Sequence, residues 1–383
     1  MRNPKIRFSQ PSGVPFEDWR LAKIKDLCFI TKESINPKTN PDKTFVEYSM
    51  PAFDNCRIPY LRKGKELESL RLAINGDVIL FNKLNIKKMR IWNVKNATAN
   101  SLCSSEFLPL TVKEGFCQDF AFYYLSTKRF TSKLNGKSSG TSNSQKRIRP
   151  EDLLNEEIIF PCLMEQQKIV SFFSTLDQKI ELNERKLEAL EKLKKGVMQK
   201  IFTQEIRFKD KNGNQFPNWF SKKLLYVAPL QRGFDLPNSN LVPGSFPVVY
   251  SNGINFSHNS YKCEGEAVIT GRSGTIGRVT YLPNCKYWPH NTTLWVTNFF
   301  NNIPKFIYYL YQYIDLNRFS TGTGVPTLNR NIIHDFVVTI PIRDEQLKIS
   351  QFLTTIDTKI NTAKLCLERL QELKKGFMQQ MFV

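Results

Sequence analysis

Residues 161–202 read PCLMEQQKIVSFFSTLDQKIELNERKLEALEKLKKGVMQKIF, and residues 341–382 read PIRDEQLKISQFLTTIDTKINTAKLCLERLQELKKGFMQQMF. Set side by side at a constant offset of 180, without a gap, the two stretches share 20 of 42 residues. Identical pairs include Glu165/Glu345, Gln166/Gln346, Lys168/Lys348, Phe172/Phe352, Asp177/Asp357 and Ile180/Ile360, and they end in Lys-Lys-Gly and Met-Gln. Within each copy the apolar residues recur at alternating steps of three and four. The first copy runs Ile169, Phe173, Leu176, Ile180, Leu187, Leu190, Val197, Ile201; the second runs Ile349, Leu353, Ile356, Ile360, Ala363, Leu367, Leu370, Phe377, Met381. That is the seam of a coiled coil. Pro161 and Pro341 stand before each start, where proline punctuates a helix. A helix of about 38 residues at 1.5 Å each is a rod of roughly 57 Å. Asn183, Lys194 and Lys374 interrupt the seam with polar side chains, which can fix register.

A second repeat runs at an offset of 200. Ile6-Arg7-Phe8 matches Ile206-Arg207-Phe208, and Gly13, Phe16, Trp19 and Lys23 match Gly213, Phe216, Trp219 and Lys223. Each half therefore has one order: an Arg-Phe/Trp lead-in, a variable region (roughly 24–158 and 224–338), then the repeated helix. The variable regions share little sequence. Phe45–Tyr48, Asp77–Phe81, Met89–Val94, Val248–Tyr250, Ala267–Thr270, Arg278–Leu282 and Thr293–Val296 read as strands. Asp119–Lys128 and Pro304–Asp315 read as helices. The expected fold is an α/β (α+β) tandem pseudo-repeat: two globular mixed α/β domains, 1–160 and 206–340, with two long antiparallel coiled-coil helices, 161–205 and 341–383. Antiparallel packing of two such copies would bring Phe382 close to Ile6-Arg7-Phe8.

The chain of 383 residues carries 55 Lys and Arg against 35 Asp and Glu, a net charge of +20. Such a balance points to a polyanionic partner, nucleic acid first; charge alone leaves a ribosome, a membrane surface or an acidic protein open. Eight cysteines are scattered with no CxxC pair, and the three histidines stand at no zinc spacing. They read as idle reduced thiols of a cytoplasmic protein. Met1 to Gln10 holds no apolar run, so no signal peptide is expected. No GxGxxG opens a helix after a strand. Gly136-Lys137-Ser138 has the end of a phosphate-binding loop, but Thr131 stands where its first glycine belongs. Asn3-Pro4, Asn36-Pro37 and Asn40-Pro41 lack the Pro-aromatic continuation of an adenine methyltransferase. No cofactor, no metal and no catalytic residue is expected.

The candidate DNA-binding residues fall in four places. The stretch Gly136–Arg149 combines small, hydroxyl, amide and basic side chains: Lys137, Ser138, Ser139, Thr141, Ser142, Gln145, Lys146 and Arg147. The stretch Arg318–Arg330 offers Arg318, Thr321, Thr323, Asn329 and Arg330. Lys83, Lys87, Lys88 and Arg90 form a basic cluster between strands. Arg272, Ser273, Thr275 and Arg278 lie in and around a Gly-rich turn. Hydroxyls and bases of this kind suit phosphate and base-edge contacts; the plain alternative is a solvated loop. Phe122, Tyr123, Tyr124, Phe306, Tyr308 and Tyr309 read as core. In the repeated helices, Lys194, Lys195, Gly196, Met198 and Phe202, with Lys374, Lys375, Gly376, Met378 and Phe382, form the best-matched stretch and are candidates for binding a partner, since Gly and Lys identity is kept beyond what the apolar seam needs.

Ile158-Ile159-Phe160-Pro161 leading to Glu165-Gln166-Gln167-Lys168-Ile169, and Val338-Thr339-Ile340-Pro341 leading to Glu345-Gln346-Leu347-Lys348-Ile349, carry a resemblance over essentially the whole chain. The sequence resembles the specificity subunits of type I restriction–modification systems. The resemblance implies that the variable regions are target recognition domains, and that the loops just upstream of the helices meet double-stranded DNA. It implies that the helices space those domains and bind two methyltransferase subunits, with restriction/translocase subunits joining that core. Catalysis then belongs to the partners. One departure is Cys162-Leu163-Met164, where prolines are common in the family. A stand-alone DNA-binding repressor or architectural protein, dimerising through its helices, is the competing expectation.

Overall fold

The computed structural model describes residues 4–138, 146–321 and 326–382, Thr321 by its backbone. Contacts divide the chain into two units, Met1–Asn183 with Cys366–Val383, and Glu184–Leu365. Each long helix therefore gives one segment to each unit.

In the first unit, β1 (Arg20–Lys23) pairs antiparallel with β8 (Glu157–Phe160), Leu21 opposite Ile159. The main sheet runs β2 (Cys28–Ile30), β7 (Phe107–Val112), β5 (Arg71–Asn82), β6 (Ile91–Ser104), β3 (Thr44–Tyr48), β4 (Tyr60–Lys63). β3 and β6 are parallel, Val46 opposite Ser101. The end of β5, Val78-Ile79-Leu80-Phe81, is buried throughout because both sheet faces are covered. Ile79 and Phe81 enter one core with Trp19, Phe120, Tyr124, Phe173 and Phe382; Val78 and Leu80 enter another with Trp92 and Phe107. Gly76, at φ +67°, sits at a bulge that shifts the β5/β6 register.

The second unit repeats this. β9 (Phe220–Lys223) pairs with β16 (Val337–Ile340). Its sheet runs β10 (Leu230–Arg232), β15 (Thr293–Val296), β13 (Cys263–Gly271), β14 (Val279–Pro289), β11 (Pro243–Tyr250), β12 (Gly253–His258). This is the order of the first sheet with every label raised by eight. The parallel pair recurs as β11 and β14, and the glycine bulge recurs at Gly265, φ +113°. Two regions with little common sequence thus share one six-strand order, to which the first adds a two-residue strand, Ser34–Ile35, paired with β5.

Every expected strand overlaps an observed one: five lie within theirs, Thr293–Val296 coinciding with its strand end to end, whereas Met89–Val94 and Arg278–Leu282 begin before β6 and β14, which start at Ile91 and Val279. The helix read over Asp119–Lys128 is two helices: α1 (Gln118–Leu125) and α2 (Lys128–Asn135). Thr127 breaks it by accepting the Phe130 N–H at 3.3 Å, the role of an N-cap. Its counterpart in the second unit is α4 (Pro304–Ile314). The long helices are α3 (Leu163–Phe202) and α5 (Arg343–Met381). They run antiparallel in both units. In the first, Phe172 meets Phe377 (4.9 Å between ring centroids) and Asp177 meets Lys374; in the second, Glu191 meets Lys364 and Lys194 meets Asp357. The Lys5 N–H donates to the Gln380 carbonyl at 2.9 Å, and Ile6 and Phe8 pack on the core that holds Phe382. Among the described residues, no helix is long and apolar enough to cross a membrane.

Candidate nucleic-acid interface and helix contacts

The β5–β6 connection and the end of the Gly136–Arg149 stretch, far apart in sequence, are bonded together. The Asn85 N–H donates to the Lys146 carbonyl at 2.8 Å, the Ile148 N–H to the Lys83 carbonyl at 3.1 Å, and Leu84 bridges Arg147. Asn85 and Met89 adopt left-handed φ of 50° and 49° and turn the connection tightly. Lys83, Lys87, Lys88, Lys146 and Arg147 therefore belong to one basic surface, with Lys87 and Lys88 exposed.

The same junction is built in the second unit, at the equivalent β13–β14 connection. The Leu328 N–H donates to the Arg272 carbonyl at 2.8 Å, the Gly274 N–H to the Pro326 carbonyl at 3.1 Å, and Ser273 bridges Thr327. A Cβ at Gly271 would overlap the Thr275 carbonyl, so only glycine closes this turn. Thr275 is exposed at its tip. Asn329 caps the short helix Arg330–Asp335 through the Asn331 N–H at 3.0 Å, and Arg330 is exposed on its first turn.

Several candidates are committed to contacts inside their unit. Arg90 grips Asp54, with its side chain 11% exposed. Lys137 pairs with Glu156 at 2.6 Å, beside Lys133 on the same carboxylate. Ser138 donates to the Asn135 carbonyl. Arg147 pairs with Glu106 at 2.9 Å and keeps half of its side chain exposed. Arg278 bonds the Asn252 carbonyl, and Arg318 lies over Phe336 at 4.3 Å. Ser139, Thr141, Ser142, Gln145 and Thr323, and the side chain of Thr321, lie outside the described residues.

On the helices, Lys194 and Lys374 are seam residues. Lys194 pairs with Asp357 at 2.7 Å, and Asp357 accepts the Tyr309 hydroxyl at 2.7 Å. Lys374 pairs with Asp177 at 2.5 Å, and Asp177 accepts the Tyr123 hydroxyl at 2.9 Å. Burial, first, and the neighbouring carboxylate push both tyrosine hydroxyls well above their usual range. Of the residues expected in the core, Tyr123 and Tyr309 are buried rings whose hydroxyls tie α1 and α4 to the helix pair, Tyr124 and Phe306 are buried, and Phe122 and Tyr308 are half-buried. Phe202, Met198 and Phe382 are buried, and Met378 is half-buried. They pack into their own units, contrary to the expectation of a docking role. Lys195, Gly196 and Lys375 are exposed, Gly376 is half-exposed, and a Cβ on either glycine would meet nothing within 4 Å.

Other repeated identities bind the lead-in to the helix. Glu165, fully buried, accepts Arg7 at 2.8 Å and the Trp19 indole N–H at 3.2 Å; Glu345 accepts Arg207 at 2.7 Å and Trp219 at 3.1 Å. Gln166 accepts the Cys117 N–H, and Gln346 the Ile303 N–H. The recurrence of these residues is visible in the sequence; their partners are visible only in the structure. Their signal was the joint recurrence of Arg, Trp, Glu and Gln at fixed offsets. Burial pushes the Cys28 and Cys103 thiols up to about 12, which leaves them unreactive. Among the described residues, no group of three His, Cys, Asp or Glu stands where it could hold a metal ion.

A chain made of two copies of one sheet topology, each with a basic loop junction and one arm of a duplicated helix, is a tandem recognition protein. Its sequence matches the profile of the type I restriction modification DNA specificity domain twice, over residues 16–192 and 217–373, and the chain belongs to that family. It is 24% identical to the type I restriction enzyme MjaVIII specificity subunit of Methanocaldococcus jannaschii, covering 94% of this chain and 91% of that protein. It is 22% identical to the putative MjaX specificity subunit of the same organism, over 94% and 92%. The crystal structure of a type I restriction–modification S subunit from M. genitalium has the same fold, with TM-score 0.66 at 15% identity, over 100% and 99% of the two chains.

Proposed function

We propose that this chain reads a bipartite double-stranded DNA target, one half-site per unit, and directs methyltransferase and restriction subunits that perform the chemistry. The observation that carries the reading is the repeated junction: Lys83, Lys87, Lys88, Lys146 and Arg147 in one unit, Arg272, Ser273, Thr275 and Arg330 in the other, at the same edge of the same topology. The target recognition domains are 1–160 and 206–340. The helices 161–205 and 341–383 act as spacers, and the repeated pairs Lys195-Gly196 and Lys375-Gly376, both lysines exposed, offer a docking face to each of two methyltransferase subunits. The protein itself neither methylates nor cleaves, and it works in the cytoplasm.

The test is binding of the assembled complex to duplexes in which either half-site is scrambled. Lys87→Glu with Lys88→Glu should weaken binding to intact target and lower the salt slope by about one for each phosphate that is no longer neutralised. It should leave discrimination at the second half-site intact. Equal loss of discrimination at both half-sites would refute the assignment of one half-site to each unit.

A further inference from the structure

In the second unit α3, α4 and α5 enclose a groove of about 790 Å3. Its charged lining is Lys194, Lys195, Lys305 and Lys364 against Glu191, Asp315 and Asp357. The carboxylates are already used: Asp357 holds Lys194 and Tyr309, Glu191 holds Lys364 at 3.0 Å, and Asp315 accepts Asn317. Lys305 is half-buried over three tyrosine rings, 4.0 Å from the centroid of Tyr281 and 4.5 Å from that of Tyr308. Among the described residues, no carboxylate forms an ion pair with it. Ring faces offset only part of the cost of burying a cation.

The matching position in the first unit has the opposite charge. Tyr123 and Tyr309 are equivalent, both donating to the helix aspartate, and four residues before them stand Asp119 and Lys305. Asp119 is satisfied within its unit by Asn93 and by Lys95 at 3.1 Å. One face of the repeat thus has a settled acid where the other has a cation with which, among the described residues, no carboxylate forms an ion pair.

We propose that the groove of the second unit receives an acidic side chain of a methyltransferase subunit, its carboxylate ion-paired to Lys305, and that the first unit lacks this contact, so that the two docking faces are unequal. This rests on the reading that methyltransferase subunits dock on the helices. A protein carboxylate fits better than DNA, because four lysines against three acids leave the lining one net positive charge, enough for a single carboxylate set over Lys305 but not for a continuous polyanion.

The experiment titrates the full chain with the methyltransferase subunit of its own system and follows the mass of the complexes at low and high salt. Two steps are expected, the first tighter by about tenfold, the size of one charge-assisted contact. Salt and Lys305→Met should both bring the steps together, and Asp119→Lys should strengthen the weaker one. Two equal, salt-insensitive steps unaffected by Lys305→Met would overturn the inference and leave the proposed function standing. No association at all would overturn the proposed function itself. Loss of duplex binding by the isolated Lys305→Met chain, with loading unchanged, would assign the groove to phosphate and sink the proposal. Should Lys305→Met fail to fold, exposed Lys195 and Lys375 decide: Lys195→Glu should lower the tighter step and Lys375→Glu the weaker, whereas equal effects on both steps would refute the asymmetry.

Discussion

Glu165 and Glu345 are fully buried anions, each held by one arginine and one indole N–H. Removing the charge takes the buried carboxylate from an arginine whose side chain is 18% exposed at Arg7 and 16% at Arg207, leaving Arg7 with backbone carbonyls and Asp18 at 3.8 Å and Arg207 with backbone carbonyls. Breaking such a pair costs about 3–5 kcal/mol. Glu165→Leu and Glu345→Leu should therefore each destabilise by that order in denaturant melts, and a change under about 1 kcal/mol would contradict the assignment. Glu156 is a further buried acid. Burial pushes its carboxyl up, but hydrogen bonds from Lys133 and Lys137 prevail and its pKa lies below the usual glutamate value. A depressed carboxyl contributes stability that is present above the unfolded pKa, about 4.3, and is lost as pH falls through the folded value. Glu156→Gln should flatten the acid limb of the stability profile; an unchanged limb would show that Glu156 is not among the groups that titrate there. At this scale the sequence was half legible. Identity between repeats picked out Glu165, Gln166, Asp177 and Lys194, but not whether each faces inward or outward. Lys194 reads as a polar interruption of the seam, and only the structure brings Asp357 and Tyr309 to it.

The long helices were readable in type and position, because alternating three- and four-residue apolar steps mark a helical seam; the spacing alone leaves their direction open, and the structure shows the expected antiparallel pair in each unit. The sheets were not. β5 and β13 are covered on both faces, so their central runs carry no alternation, and their outer parts are polar. The common sheet order of the two halves is invisible to sequence comparison because pairing is set by backbone bonds and bulges at Gly76 and Gly265, not by shared side chains. Helix length is the element that should set the unread gap. Deleting one heptad at matched positions, 183–189 and 363–369, removes about 10 Å from each rod and preserves the seam. The gap should shorten by about three base pairs, at 3.4 Å per step, with both half-sites unchanged. If the bases read change while the gap does not, the division between spacer and reader is wrong.

For the whole chain, duplication is the fact that organises the rest: one lead-in, one topology, one basic junction and one helix, each made twice. The basic junctions were legible only in fragments, since nothing in the sequence joins Lys83–Lys88 to Lys146–Arg147 or Arg272 to Leu328; backbone pairing does that. The central claim is that each unit reads its own half of a divided target on behalf of a methyltransferase. The most direct measurement is methylome sequencing of cells carrying the complete system, with the second unit's region 224–338 either native or exchanged for that of a relative. The account requires a bipartite modified motif that disappears without this chain, and an exchange that replaces one half-site while keeping the other half-site and the gap. A methylation pattern that is unchanged by loss of the chain, or a continuous motif altered throughout by the exchange, would contradict it.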